Sequence, residues 1–126
     1  MKNKYTHKEG IVYLNQYHIV FCPKYRRRVL IGNIANDLIE IFSSVAAEKN
    51  VEIKALEIMP DHVHMFISFD PRQPLHELIR YFKGTSSRIL RDKYPELRSR
   101  IPSFWTRSSF LLHNRFYKRR NNTEIY

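Results

Sequence analysis

The fold is decided by Val51-Glu-Ile-Lys-Ala-Leu-Glu-Ile-Met59, then Pro60-Asp61, then His62-Val-His-Met-Phe-Ile-Ser-Phe69. Two runs rich in β-branched and apolar residues flank a Pro-Asp turn, so the segment predicts a β-hairpin. Upstream, Ile34, Leu38, Phe42, Val45 and Ala46 recur at three- and four-residue spacing, which predicts a helix over 34–49 ended by Asn50. Downstream, a loop over 70–74 leads to a second helical stripe made by Leu75, Leu78, Ile79, Phe82, Ser86, Ile89 and Leu90. Gly84 interrupts that stripe at a cost of about 1 kcal/mol relative to alanine, which predicts a weakened or closely packed point in the helix. Further out, residues 11–22 read as a strand closed by Pro23, Val29-Leu30-Ile31 as a short extra strand, and 104–112 as a last strand. The resulting order, β-α-β-β-α-β, is the ferredoxin-like α+β pattern: an antiparallel sheet with two helices on one face. The opposite face is left for ligands, partners or a final helix. No repeat, linker or low-complexity tract divides the chain, which reads as a single domain over 1–126.

Composition narrows the function. With 126 residues and 43% apolar content, the chain can bury a core without disulfides, and its one cysteine, Cys22, excludes a disulfide framework or a multi-cysteine metal cage. No apolar stretch approaches the ~20 residues of a membrane span, and no apolar run follows the charged N-terminus, so a cytoplasmic protein without a membrane partner is expected. Lys and Arg number 22 against 12 Asp and Glu, a formal net charge of +10. Such a surface attracts polyanions, because each neutralised phosphate releases a condensed counterion. Arginine outnumbers lysine, which suits bidentate phosphate contacts. A dense cluster, Lys24-Tyr25-Arg26-Arg27-Arg28, forms a basic turn whose aromatic ring could stack on a base or pack on its own domain. Lys83 and Arg88 on the second helix could also reach DNA, or be ordinary exposed charge.

His62 and His64 carry the chemistry. Residues i and i+2 of a strand point to one face, so both imidazoles should stand on the free face while Val63, Met65, Ile67 and Phe69 meet the helices. Two ring nitrogens there could share one metal ion, and Asp61 could add an oxygen ligand or orient an imidazole. The pair alone is weak evidence in a chain with six histidines. Imidazole favours zinc, iron or copper and magnesium prefers oxygen, so the spacing leaves the metal open. His18 reads as a structural strand histidine, Trp105 as a core or dimer-contact residue, and Cys22 as a small buried residue.

Four blocks then resemble one family. Tyr17-His18-Ile19-Val20-Phe21-Cys22-Pro23-Lys24-Tyr25-Arg26-Arg27, Met59-Pro60-Asp61-His62-Val63-His64-Met65, Phe82-Lys83-Gly84-Thr85-Ser86-Ser87-Arg88 and Phe104-Trp105-Thr106-Arg107-Ser108 are similar to the signatures of the IS200/IS605-type single-tyrosine transposases, in family order and spacing. The resemblance implies an HUH-type nuclease domain that binds single-stranded DNA folded into hairpins. It implies that His62 and His64 hold a divalent metal, Mg or Mn, and that a tyrosine attacks phosphorus to give a 5′-phosphotyrosine. It also implies a homodimer. Lys24, Tyr25, Arg26, Arg27, Arg28, Lys83 and Arg88 become the expected DNA contacts.

The resemblance breaks in the tail. The family continues with a Thr-x-Gly turn and a helix bearing the tyrosine and, four residues on, a glutamine; residues 112–126 here are atypical, and Asn121-Asn122-Thr123 is poor helix material. Synonymous codons exist for His113 to Tyr126 that, read one base later, spell T-T-G-F-I-S-D-E-T-I-Q-K-Y-I, a string similar to the missing segment. Two readings stand together. Tyr126, near the family spacing from His64 and Trp105, is the nucleophile; or a frameshift near Leu111 or Leu112 has replaced the catalytic helix and inactivated this copy. The alternative to a transposase is a non-catalytic single-stranded nucleic-acid-binding module with an RNA-recognition-like sheet, although the aromatic signature of that module is missing. A water-using metal phosphodiesterase would need a general base beside the histidines, and the sequence offers none.

Overall fold

The computed structural model describes residues 11–13, 15–100, 102–113, 116–119 and 123–125. Their order is β1 (Ile11–Tyr13), β2 (Asn15–Phe21), a 3-10 turn (Lys24–Arg26), α1 (Gly32–Lys49), β3 (Glu52–Met59), β4 (His62–Phe69), α2 (Leu75–Lys93), α3 (Glu96–Arg100), β5 (Phe110–His113), β6 (Phe116–Arg119) and β7 (Thr123–Ile125). Strands β3-β4-β2-β5 form one antiparallel sheet in that spatial order. With α1 between β2 and β3, and α2 between β4 and β5, this is the expected β-α-β-β-α-β arrangement.

The hairpin is set as its sequence dictates. Met59 faces His62, Glu57 faces His64 and Leu56 faces Met65, with a bulge between Ile53 and Ala55. Alternation then sorts β4 into two faces: Val63, Met65, Ile67 and Phe69 are each 0% exposed, whereas His62, His64 and Phe66 are only partly covered. On β2, Ile19 and Phe21 join the interior. Against that face lie Leu38, Phe42 and Val45 of α1 and Leu78, Phe82 and Leu90 of α2. Phe82 meets Phe42 edge-on at 5.5 Å between centroids, the favoured geometry for aromatic quadrupoles.

Several expectations need correction. The strand foreseen over 11–22 is two strands in different sheets, since β1 pairs with β6 and β6 with β7. Val29-Leu30-Ile31 forms no strand: Val29 and Leu30 are buried, and the Leu30 N–H donates to the Pro60 carbonyl. The last core strand begins at Phe110 rather than 104. Residues 104–109 are instead fastened to α2, because Trp105 Nε1 donates to Ser86 Oγ at 2.9 Å and Ser86 Oγ donates to the Phe82 carbonyl at 2.7 Å. Gly84 is not closely packed, for a Cβ placed there meets nothing within 4 Å. The short helix α3 was not foreseen, because five residues carry too little periodicity to read.

Candidate metal and nucleic-acid site

The sheet surface turned away from the helices carries Gln16, His18 and Val20 of β2, His62, His64, Phe66 and Ser68 of β4, and Glu57 of β3. His62 and His64 stand together on it, with side chains 32% and 39% exposed. His62 Nδ1 lies 3.0 Å from Asp61 Oδ1, and Arg26 donates to Asp61 Oδ2 at 2.9 Å. The hydrogen bonds from His62 and Arg26 hold the Asp61 carboxyl down to about 2, so it is ionised at neutral pH. An ionised acceptor on Nδ1 places the proton there and leaves the Nε2 lone pair free for a ligand. The Pro60-Asp61 turn therefore does more than reverse the chain: it fixes a tautomer. His64 lacks this anchor, with Nδ1 3.8 Å from Glu57 Oε1, longer than a hydrogen bond.

The donor set suits a divalent ion that keeps open positions. Two imidazoles share one face, and among the described residues no group of three or more His, Cys, Asp or Glu converges. Two protein nitrogens leave room for water and phosphate oxygens, the habit of a hydrated divalent ion that binds beside a phosphate. A closed structural zinc site would need four protein ligands.

Around this pair the predicted contacts fall in two groups. Lys24, Tyr25, Arg26, Arg27 and Arg28 follow β2 directly, and Arg26 is tied to the histidines through Asp61. Tyr25 and Arg26 adopt left-handed backbone angles, φ 61° and 51°, which cost free energy for residues with side chains. Tyr25 is 67% exposed despite its ring, so it does not pack on its own domain. The second group lies on α2. Arg88 is exposed, but Lys83 is half-buried, and its Nζ donates to the carbonyls of Thr106, Arg107 and Ser108 at 3.1, 3.4 and 3.3 Å. Burial pushes this ammonium below the ordinary lysine value. Lys83 thus holds the 106–108 segment, a role that charge counting could not show. Trp105 is buried against Phe21 and Phe104, as a core residue. Cys22 is a free thiol at intermediate exposure, less buried than expected. Tyr126, the candidate nucleophile, lies outside the described residues.

Two neighbours escaped sequence reasoning. Glu57 faces His64 across the hairpin, a placement legible only once the register is known. His18, read as a structural strand histidine, has no side-chain hydrogen bond among the described residues; its ring is stacked with those of His64 and Phe66.

A four-stranded antiparallel sheet with both long helices on one face and two histidines on the other defines an α+β protein of the ferredoxin-like pattern. Residues 11–115 match the model of the family described as "Transposase IS200 like", and the chain belongs to that family. It is 38% identical over 92 residues to the ISDra2 transposase TnpA of Deinococcus radiodurans, covering 73% of this chain and 66% of that protein. It is 33% identical over 98 residues to the transposase for insertion sequence element IS200 of Salmonella typhimurium, covering 76% of this chain and 64% of that one. The chain thus spans slightly less than two thirds of the length of these relatives. A crystal structure of a candidate transposase from Deinococcus radiodurans R1 superimposes with a TM-score of 0.78 at 30% identity, over 85% of this chain and 84% of the other. A REP-associated tyrosine transposase bound to a REP hairpin shares the fold, with a TM-score of 0.60 at 13% identity over 86% of this chain and 61% of the other. No helix among the described residues is long and apolar enough to cross a membrane.

Proposed function

We propose that this chain is a DNA strand transferase of an insertion sequence, binding single-stranded DNA with hairpin ends and acting as a homodimer. The observation that carries the reading is the placement of His62 and His64 together on the sheet face turned from the helices, with Asp61 fixing the His62 tautomer. In this reading both imidazoles hold a divalent ion, Mg or Mn. When bound, the ion supplies Lewis-acid polarisation of the scissile phosphate. The tyrosine oxygen attacks phosphorus, the P–O3′ bond breaks, and the products are a 5′-phosphotyrosine and a free 3′-hydroxyl. Attack by another strand's 3′-hydroxyl reverses the sequence and rejoins DNA. Tyr126 is the candidate nucleophile.

DNA contacts are assigned to Lys24, Tyr25, Arg26, Arg27 and Arg28 beside the histidines, and to Arg88 on α2; Lys83, expected beside Arg88, is committed to the 106–108 carbonyls instead. Arg80, Gly84 and Arg88 lie four residues apart in one exposed row, and neither arginine is in an ion pair among the described residues. The open space above Gly84 gives a phosphate backbone close approach between two guanidinium groups.

A second reading rests on the tail. Where the family resemblance expects a helix with its tyrosine, residues 110–113, 116–119 and 123–125 are strands. This favours a copy that binds DNA without cutting it, the result expected of a frameshift. One assay separates the two. The protein is incubated with a hairpin-bearing single strand and Mg or Mn, and covalent adducts are sought on denaturing gels. An adduct that disappears in Tyr126→Phe supports the transferase; binding without an adduct supports the non-catalytic module. Sequencing the gene downstream of the Trp105 codon tests the frameshift, which is refuted if no family segment lies in the next frame.

A further inference from the structure

The two histidines are held in place by different means. His62 is anchored by a 3.0 Å contact to Asp61. The Glu57 carboxylate facing His64 stands off at 3.8 Å, and its side chain is 72% exposed. The close neighbour of the His64 ring is the ring of His18, stacked on it at 5.4 Å between centroids with planes 17° apart. His18 is also stacked with Phe66, at 4.2 Å between centroids and 5° between planes. His18 faces Phe66 directly across the β2–β4 ladder, so the central strand of the sheet fixes its position.

We infer that His18 is a positioning residue for His64: its imidazole is a flat wedge, braced by Phe66, that sets the rotation of the His64 ring. This rests on the metal site proposed above. Rotation of a histidine ring about Cβ–Cγ is soft and roughly two-fold, so a ring with neither a hydrogen bond nor a packed neighbour sweeps its nitrogen lone pair through a wide arc. Stacking at these separations is attractive and restricts that arc. We take His18 to act as a ring and not as a third ligand, and the His18→Phe variant below separates the two. One histidine is thus oriented by a carboxylate and the other by an aromatic stack.

The test measures Mn(II) binding to the whole protein without DNA, from the loss of the free-ion paramagnetic resonance signal, in wild type, His18→Ala and His18→Phe. His18→Ala is expected to weaken binding roughly tenfold, the low end of the loss when an outer-shell partner is removed. His18→Phe keeps the stack without any nitrogen, and is expected to bind within about threefold of wild type. Upfield ring-current shifts of the His64 ring protons should persist in His18→Phe and vanish in His18→Ala. If His18→Phe binds as weakly as His18→Ala, the His18 nitrogens are what matters and the inference falls; it also falls if His18→Ala binds like wild type. His64→Ala in the same assay keeps the two levels apart, because unchanged affinity there overturns the metal site itself. Should His18→Ala fail to fold, His18→Gln, which lacks a ring but fills the space, carries the same comparison.

Discussion

The two faces of the central sheet are built from the same strands under opposite rules. On β4, Val63, Met65, Ile67 and Phe69 are sealed, and on the opposite face His62, His64 and Phe66 are only partly covered, with Ser68 at the far end buried. Stability is concentrated on the first face and the chemistry proposed above on the second, with a single Cβ alternation separating them. Substitution should therefore affect the two faces differently.

The largest effect is expected in the interior. Phe82→Ala removes a fully buried ring packed on Phe42, and should cost about 3–5 kcal/mol in chemical denaturation. Trp105→Phe keeps an aromatic ring but deletes the hydrogen bond to Ser86 and some buried volume, at a cost of about 1–3 kcal/mol and with the 104–109 segment loosened in hydrogen exchange. On the outer surface of α2, Gly84→Ala should raise stability by about 0.5–1 kcal/mol, since the new methyl meets nothing. The same change should weaken binding to hairpin DNA; unchanged affinity in a titration would remove α2 from the DNA contacts. His62→Ala should leave stability within about 1 kcal/mol of wild type while abolishing Mn(II) binding on the bare face. A large loss of stability there would erase the distinction between the faces.

Acid sharpens the comparison on the helix side. Hydrogen bonds from Tyr94 at 2.6 Å and from Lys93 hold the Asp37 carboxyl below its ordinary value and tie α1 to the end of α2. A lowered carboxyl stabilises the fold above its unfolded value, and that stabilisation is lost as pH falls through the folded one. The acid limb of the stability curve should be shallower in Asp37→Asn, and an unchanged limb would show that these bonds contribute nothing in solution.

Much of this arrangement was legible beforehand. Strand alternation placed both histidines correctly because the period of two is strict, and the apolar stripes gave both long helices. Asp61 beside His62 was readable as an orienting group because contact between neighbours in sequence needs no fold. What escaped was long-range. The cross-strand register of Glu57 with His64, the stacking of His18 with His64 and Phe66, and the three carbonyls around Lys83 all join residues that are not neighbours in sequence. β1 failed for a related reason: β propensity marks 11–13 as strand, but only pairing reveals that it leaves the main sheet for β6. The short helix α3 lay below the length at which periodicity speaks.

Among the described side chains, the last buried apolar residue is Trp105. Phe110, Leu111 and Leu112 beyond it are 66%, 41% and 55% exposed, on an edge strand. Among the described side chains, the buried apolar set thus ends before the atypical stretch from residue 112 begins. A change of reading frame beyond that point would leave those buried side chains untouched, so a folded preparation is by itself no evidence of strand cleavage.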